Sequence, residues 1–410
     1  MEPYVTRYVD TYLDELIGEL PAFMLTGPRA CGKTTTARRR ATSTLQLDTP
    51  RDALLMREEP DQQLRGLVPP ILIDEWQDVP ESLSAVKRAV DEDSQPGRFL
   101  ITGSVRARTL TGTWPGTGRI TPIQMHPLTQ DELANKGKNL DFIDRLFQQD
   151  ISDTIPSEAP ALRDYVELAA AGGFPQAQKG SPRFRDQWFE GYISQAVGRD
   201  VEPLGEVREP LAMERLLRAA ALNTAGIPTH ETLVRAASTS RETTDRYLDL
   251  LEELGLLERI PAWGHNRLKR MIKSPKLHVT DTGLALWLAG VSADAVLDDS
   301  NLLGRIIESY VGMQLRPMLS AGPRRGRMTH LRDTNGRREV DFIIEDRRGD
   351  VVVAEVKASA NIDRRMGRHM EWLRDEIGEP FKAGVLFHTG RTIHEVSDRI
   401  WAMPISAMWS

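Results

Sequence analysis

Residues 22–35 read AFMLTGPRACGKTT, an apolar run that stops at a glycine and closes on Gly-Lys-Thr. Gly27, four intervening residues and Gly32-Lys33-Thr34 make the full GxxxxGKT spacing, with a strand-like stretch before it and the helix-forming ARRRATS of residues 37–43 after it. These residue types answer the chemistry of a triphosphate. Glycines let successive backbone N–H groups wrap phosphate oxygens, the lysine reaches the β and γ groups, and the threonine hydroxyl joins the coordination of Mg²⁺. Gly27, Pro28, Arg29, Ala30, Cys31, Gly32, Lys33, Thr34 and Thr35 are therefore the expected cradle for ATP and Mg²⁺, with Thr34 a metal ligand. The Cys31 side chain, at a variable place in such a loop, is expected to point away from the ligand.

Two further apolar runs support this reading. ILIDE, residues 71–75, suits a buried parallel strand whose carboxyl end faces the ligand crevice. Asp74 is expected to hold Mg²⁺ through its water shell, and Glu75 to polarise the attacking water. RFLITGS, residues 98–104, ends in hydroxyl groups, of which Ser104 and then Thr102 are expected to meet the γ-phosphate. Arg119, ahead of Arg106 and Arg108, is the candidate arginine finger for a neighbouring subunit's nucleotide, which makes a homo-oligomer a partner expectation. Strands at 22–26, 44–48, 71–75, 98–103 and about 119–124, separated by helical stretches, describe a doubly wound α/β sheet. A helical segment from about 126 to 205 follows as a lid over the nucleotide.

Bulk properties restrict the alternatives. A chain of 410 residues suggests several domains. No stretch approaches the roughly 18 uninterrupted apolar residues of a membrane span, and the first residues lack the basic start and apolar block of a signal peptide. The expectation is a cytoplasmic protein without membrane contact. Cys31 is the single cysteine, which excludes an internal disulfide and a multi-cysteine zinc site. With a net charge of -6, any contact with nucleic acid must be local. WGHNRLKRMIKSPK, residues 263–276, carries Arg267, Lys269, Arg270, Lys273 and Lys276 with no acid, and smaller clusters lie at Arg324, Arg325 and Arg327 and at Arg364, Arg365 and Arg368.

From Leu211 the periodicity becomes helix upon helix. LAMERLLRAAALNTAG ends at Gly226, THETLVRAAS is shorter, and SRETTDRYLDLLEELGLLERI has Ser240 as N-cap and Gly255 as terminator. Followed by the basic stretch and KLHVT, they resemble a winged helix-turn-helix, with Ser240, Arg241, Thr243 and Thr244 toward the major groove of DNA and the wing on phosphate. Glu242, Asp245, Asp249, Glu252 and Glu253 give the third helix a negative balance, which suits protein docking instead.

The last third contains NLLGRIIESYVGMQLR, an amphipathic helix carrying Glu308, then REVDFIIED and VVVAEVK, two strands interrupted by Asp341 and by Glu355 and Lys357. An Asn335-Gly336 turn precedes the first strand. Period-two alternation puts Glu355 and Lys357 on one face. The order resembles the restriction-endonuclease-like nuclease fold, although no proline precedes Asp341. That resemblance implies a metal site of Glu308, Asp341 and Glu355, with Lys357 orienting the attacking water, and catalytic roles for Asp341, Glu355 and Lys357.

TGPRACGKTT, ILIDEWQ, FLITGS, GRI with PLTQDEL, GGFPQA and GRDV together resemble prokaryotic predicted ATPases of the AAA+ superfamily that carry a C-terminal domain of unknown function. The resemblance runs from about residue 20 to the end and implies a P-loop ATPase core over 1–125, a helical lid over 126–208, a winged-helix domain over 209–295 and an α/β nuclease-like domain over 296–410. The leading expectation is a Mg²⁺-dependent ATPase whose nucleotide state controls DNA binding and the nuclease-like domain. Its alternative is an ATP-binding regulatory or scaffold protein with an inactive nuclease fold.

Overall fold

Five parallel strands, β1 (Ala22–Thr26), β2 (Ser43–Gln46), β3 (Ile71–Asp74), β4 (Phe99–Thr102) and β5 (Thr121–Gln124), form a sheet in the order β2-β3-β4-β1-β5. The structure, a computed structural model, describes residues 4–103, 117–134, 137–151, 159–199, 209–264, 274–333 and 338–410. Helices cover both faces, so the central strands are apolar at every position rather than at alternate ones. Ala22 and Met24 face the helix Ser82–Glu92 with its Leu83, Val86 and Val90, whereas Phe23 and Leu25 face Val9, Leu13 and Ala37 of two other helices. Because β4 lies between β1 and β3, the carboxyl ends of three adjacent strands deliver the phosphate loop, Thr102 and Asp74 to one place.

Three helices, Pro210–Leu222, His230–Ala237 and Arg241–Glu253, pack around Leu216, Leu217, Leu233, Tyr247 and Leu251. Ser240 caps the third, accepting the Thr243 N–H at 3.1 Å. A two-stranded antiparallel ribbon follows, β6 (Leu257–Ile260) with β7 (Lys276–Val279). Arg267, Lys269, Arg270 and Lys273 lie outside the described residues. Lys276 departs from the expectation of a phosphate-contacting wing: its side chain is 1% exposed and turned into carboxylates. Lys276 opens β7, every residue of which is buried.

The long helix Ser300–Ala321 then leads into a six-stranded sheet ordered β12-β13-β11-β10-β9-β8. β8 (Gly326–Arg332), β9 (Glu339–Asp346) and β10 (Val351–Lys357) form an antiparallel meander, and the helix Arg368–Ile377 crosses over to β11 (Phe381–His388), parallel to β10. β13 (Ile400–Pro404) pairs parallel to β11, with β12 (His394–Ser397) outermost. The Asn335-Gly336 turn lies outside the described residues. Among those described, no helix is long and apolar enough to cross a membrane.

Asp281 ties the chain just past β7 to Gly173 of the segment expected to form a lid. Buried at the N-cap of helix Thr282–Ala289, it accepts the Leu284 N–H at 2.8 Å and the Gly173 N–H at 2.6 Å. Burial pushes its carboxyl up from 3.8 to about 6, against the pull of those N–H groups. A folded-state value above the unfolded one means the folded protein holds the proton more tightly. The resulting stabilisation is complete below 3.8 and disappears as pH rises through about 6. Asp281→Asn is expected to remove a pH-dependent component on the order of 3 kcal/mol from urea-unfolding free energies across that window.

Candidate functional site

Strand β1 ends at the phosphate loop, and two glycines give the loop its path. Gly27 has φ 139°, and a Cβ there would stand 2.2 Å from the Met125 carbonyl oxygen; Gly32 has φ 104° and opens the helix Lys33–Arg38. Lys33 Nζ donates to the carbonyls of Gly27 at 2.9 Å and Pro28 at 2.8 Å, so the loop closes on its own ammonium. Cys31 is fully buried in one cluster with Phe23, Leu25 and Ala37.

Thr34 Oγ1 donates to Asp74 Oδ1 at 2.8 Å, and Thr102 Oγ1 donates to the same oxygen at 2.5 Å. A hydroxyl and a carboxylate held together at the mouth of a phosphate loop are hard oxygen donors of the kind Mg²⁺ takes. Glu75 follows in a left-handed conformation, φ 54° and ψ 49°, and lines the same cavity as Lys33 and Thr34. Burial raises its proton affinity, a hydrogen bond from Gln77 Nε2 opposes that, and Asp74 adds to it.

Arg29, Lys33, Thr34, Arg38 and Glu75 line a cavity of about 950 Å³. Tyr4, Val5, Leu128, Leu133 and Pro175 line it too, with Arg39 stacked over the Tyr4 ring at 4.2 Å. Gln176, Gln178 and Lys179, from the segment expected to form a lid, also face it. Ser104, Arg106 and Arg108 lie outside the described residues. Arg119 does not line the cavity; it is about half exposed and pairs with Asp91 of its own chain at 2.7 Å.

Three participants escaped the sequence reading. Arg7, 5% exposed, spreads its guanidinium to the Cys31 carbonyl at 2.8 Å, the His126 carbonyl at 2.6 Å and Glu132 at 3.2 Å. Nothing near Arg7 announces this, because its partners lie 24 to 125 positions away. Gln77 was visible in ILIDEWQ two positions past Glu75, and that proximity was the available signal. Gly255, foreseen as a helix terminator, also touches the loop: it has φ 70°, and a Cβ there would lie 2.9 Å from the Pro28 nitrogen. Gly378 has φ 67° with open space around it and so serves as a control. Gly255→Ala is expected to cost about 1–3 kcal/mol and to weaken ATP binding, with Gly378→Ala costing about 1 kcal/mol and leaving binding unchanged. Urea melts and ATP titrations check this.

A second charged group lies in the C-terminal sheet. Lys276 Nζ contacts Glu308 at 2.7 Å, Asp341 at 3.2 Å and Glu339 at 3.5 Å. Burial alone would depress the ammonium, but Asp341 and Glu308 outweigh it and hold its affinity for the proton above the ordinary value. Asp341 Oδ2 accepts the Val356 N–H at 2.9 Å. Glu355 pairs with Lys357 at 2.6 Å on one strand face, and burial raises its carboxyl to about 7 despite Lys357. Glu308, Asp341, Glu355 and Lys357 thus lie in one region, with the Lys276 ammonium between the first two. Among the described residues, no group of three or more acids, histidines or cysteines stands in metal-holding geometry.

Comparison with known proteins divides the chain in three. Residues 20–134 match the model of an AAA domain, 162–295 a domain of unknown function (DUF8612) and 303–408 a domain of unknown function (DUF4143). The chain is 30% identical over 310 residues to the uncharacterized proteins Rv2008c of Mycobacterium tuberculosis and Mb2031c of Mycobacterium bovis, spanning 74% of its own length and 64% of theirs. A solved structure, the Walker-type ATPase PABY2304 of Pyrococcus abyssi, is 17% identical with a TM-score of 0.39, over 70% of this chain and 98% of that one. The AAA match falls on the segment that carries the phosphate loop, Asp74 and Glu75, and it supports a P-loop ATPase of AAA type.

Proposed function

We propose that this chain binds ATP with Mg²⁺ at the phosphate loop and hydrolyses it, using the cycle to move the helices and ribbon of 209–295 against the C-terminal sheet. The observation that carries this reading is the meeting of Lys33, Thr34, Asp74, Thr102 and Glu75 at the ends of three adjacent strands, with Lys33, Thr34 and Glu75 lining one cavity. On binding, Lys33 exchanges the Gly27 and Pro28 carbonyls for β- and γ-phosphate oxygens. Thr34 and Asp74 are the residues that would hold Mg²⁺, Asp74 through water. When bound, the ion neutralises charge on the phosphates. Glu75, its basicity raised by burial, accepts the proton of the attacking water. Tyr4, Val5, Leu128, Leu133 and Pro175 offer the apolar walls a base needs, and Gln176, Gln178 and Lys179 close the site from the lid side.

Motion passes to the middle segment through Gly255, which rests on Pro28, so a loop that opens around phosphates displaces the end of helix Arg241–Glu253. Lys33→Ala is expected to lower ATP turnover of the purified chain at least about 100-fold with little change in melting temperature. Unchanged turnover refutes the reading.

The helices and ribbon read as a DNA-engaging winged helix, and the helix–β8–β9–β10–helix–β11 order with Glu308, Asp341, Glu355 and Lys357 reads as a nuclease-like fold. The buried Lys276 favours a second reading, in which this C-terminal part holds partners and does not cut. Comparing plasmid cleavage by the wild type and Asp341→Ala in Mg²⁺ or Mn²⁺, with and without ATP, separates the two.

A further inference from the structure

Both ends of the phosphate loop are held by the two residues that follow β5. Gly27 lies against the Met125 carbonyl, and at the other end the Arg7 guanidinium joins the Cys31 carbonyl, at 2.8 Å, to the His126 carbonyl, at 2.6 Å. The remaining arm of the guanidinium meets Glu132 at 3.2 Å. That carboxylate also accepts the Tyr8 N–H at 2.7 Å and the Thr129 N–H at 2.9 Å. Arg7 and Glu132 are both buried, and an arginine fork is planar, so the three contacts hold one another in a fixed geometry.

What Arg7 holds decides where a backbone donor points. Across a trans peptide the C=O and the N–H lie on opposite sides, so tying the Cys31 carbonyl to Arg7 turns the Gly32 N–H the other way. Gly32 lines the nucleotide cavity, and a Cβ there would stand 3.3 Å from Arg7 Nη1, so the guanidinium packs directly on this glycine. A flipped peptide would show the phosphates a carbonyl oxygen, which repels them, and glycine alone does little to prevent the flip. The other half of the loop is not set in this way. Lys33 occupies the carbonyls of Gly27 and Pro28 and has to leave them for phosphate.

We propose that Arg7 is a positioning residue for nucleotide binding: by holding the Cys31 carbonyl it sets the Gly32 N–H as a donor to a phosphate oxygen before the nucleotide arrives. This role rests on the ATP reading of the loop. Arg7 acts through the Cys31–Gly32 peptide, whereas Glu132 only steadies the fork and stands one step further from the phosphates.

Because Cys31 is the single cysteine, this peptide can be observed by itself. In the full chain labelled with carbonyl-¹³C cysteine and ¹⁵N glycine, a carbonyl-filtered amide spectrum shows Gly32 alone. Saturating ADP with Mg²⁺ is expected to move the wild-type Gly32 amide proton downfield, the mark of a new charge-assisted hydrogen bond. Arg7→Met is expected to lose that displacement and to bind ADP at least about 10-fold more weakly, whereas Glu132→Gln keeps the displacement and stays within about threefold of the wild type. Glu132→Gln loosens the same buried corner, so a merely structural effect would appear in it too. Should Arg7→Met unfold around an uncompensated Glu132, the double variant Arg7→Met/Glu132→Gln, with both charges gone, takes its place. A wild-type chain that binds no ADP overturns the ATP reading and this role with it. ADP binding that leaves the wild-type amide unmoved, or a chain without Arg7 that binds and shifts as Glu132→Gln does, overturns the role of Arg7 alone.

Discussion

Replacing Glu75 with glutamine is expected to slow ATP turnover by about 10²–10⁴-fold while ATP affinity stays within about threefold. The amide keeps the size and hydrogen-bonding reach of the carboxylate but cannot take a proton from water. Lys33, Thr34 and Asp74, proposed above to meet the phosphates and the metal, are untouched. Single-turnover hydrolysis of labelled ATP alongside equilibrium binding separates the two quantities. A variant that loses binding and turnover together would assign Glu75 to the cradle rather than to the water.

The other large effect concerns folding. Lys276→Met is expected to cost about 3–5 kcal/mol at neutral pH, because removing one partner of a buried ion network leaves the rest uncompensated. Glu308→Gln in the same chain should recover part of that loss, since the amide needs no counter-charge. Urea unfolding of the two single variants and the double variant gives the coupling directly. A cost below about 1 kcal/mol would mean that the carboxylates take up protons in place of the lost ammonium.

The nucleotide site was legible in the sequence where its chemistry is local. GxxxxGKT and ILIDE each fit within a few residues, and the apolar runs around them belong to strands covered on both faces, so the five strands stand within about two positions of their expected bounds. The same-face placement of Glu355 and Lys357 followed from alternation alone. What escaped depends on distant partners. Arg7 resembles any surface arginine until the fold brings the Cys31 carbonyl, the His126 carbonyl and Glu132 around it. Lys276 closes a basic run, and composition placed it on a solvated wing. Its true surroundings are set by Glu308 and Asp341, 32 and 65 positions further on. A charge pattern reports sign, not which side of a two-stranded ribbon will be covered.

The long helix Ser300–Ala321 belongs to no single module. Ile306, Ile307, Tyr310, Val311 and Leu315 share one apolar cluster with Tyr8 from the amino-terminal helix, Phe142 and Tyr165 from the segment read as a lid, and Phe342, Val352 and Phe387 from the C-terminal sheet. Boundaries drawn along the chain therefore cut through shared interior. Excising the last hundred residues would strip the remainder of packing it relies on, and the excised piece would carry a bare greasy flank of its own. Heat should melt the assembly as one cooperative block rather than in instalments.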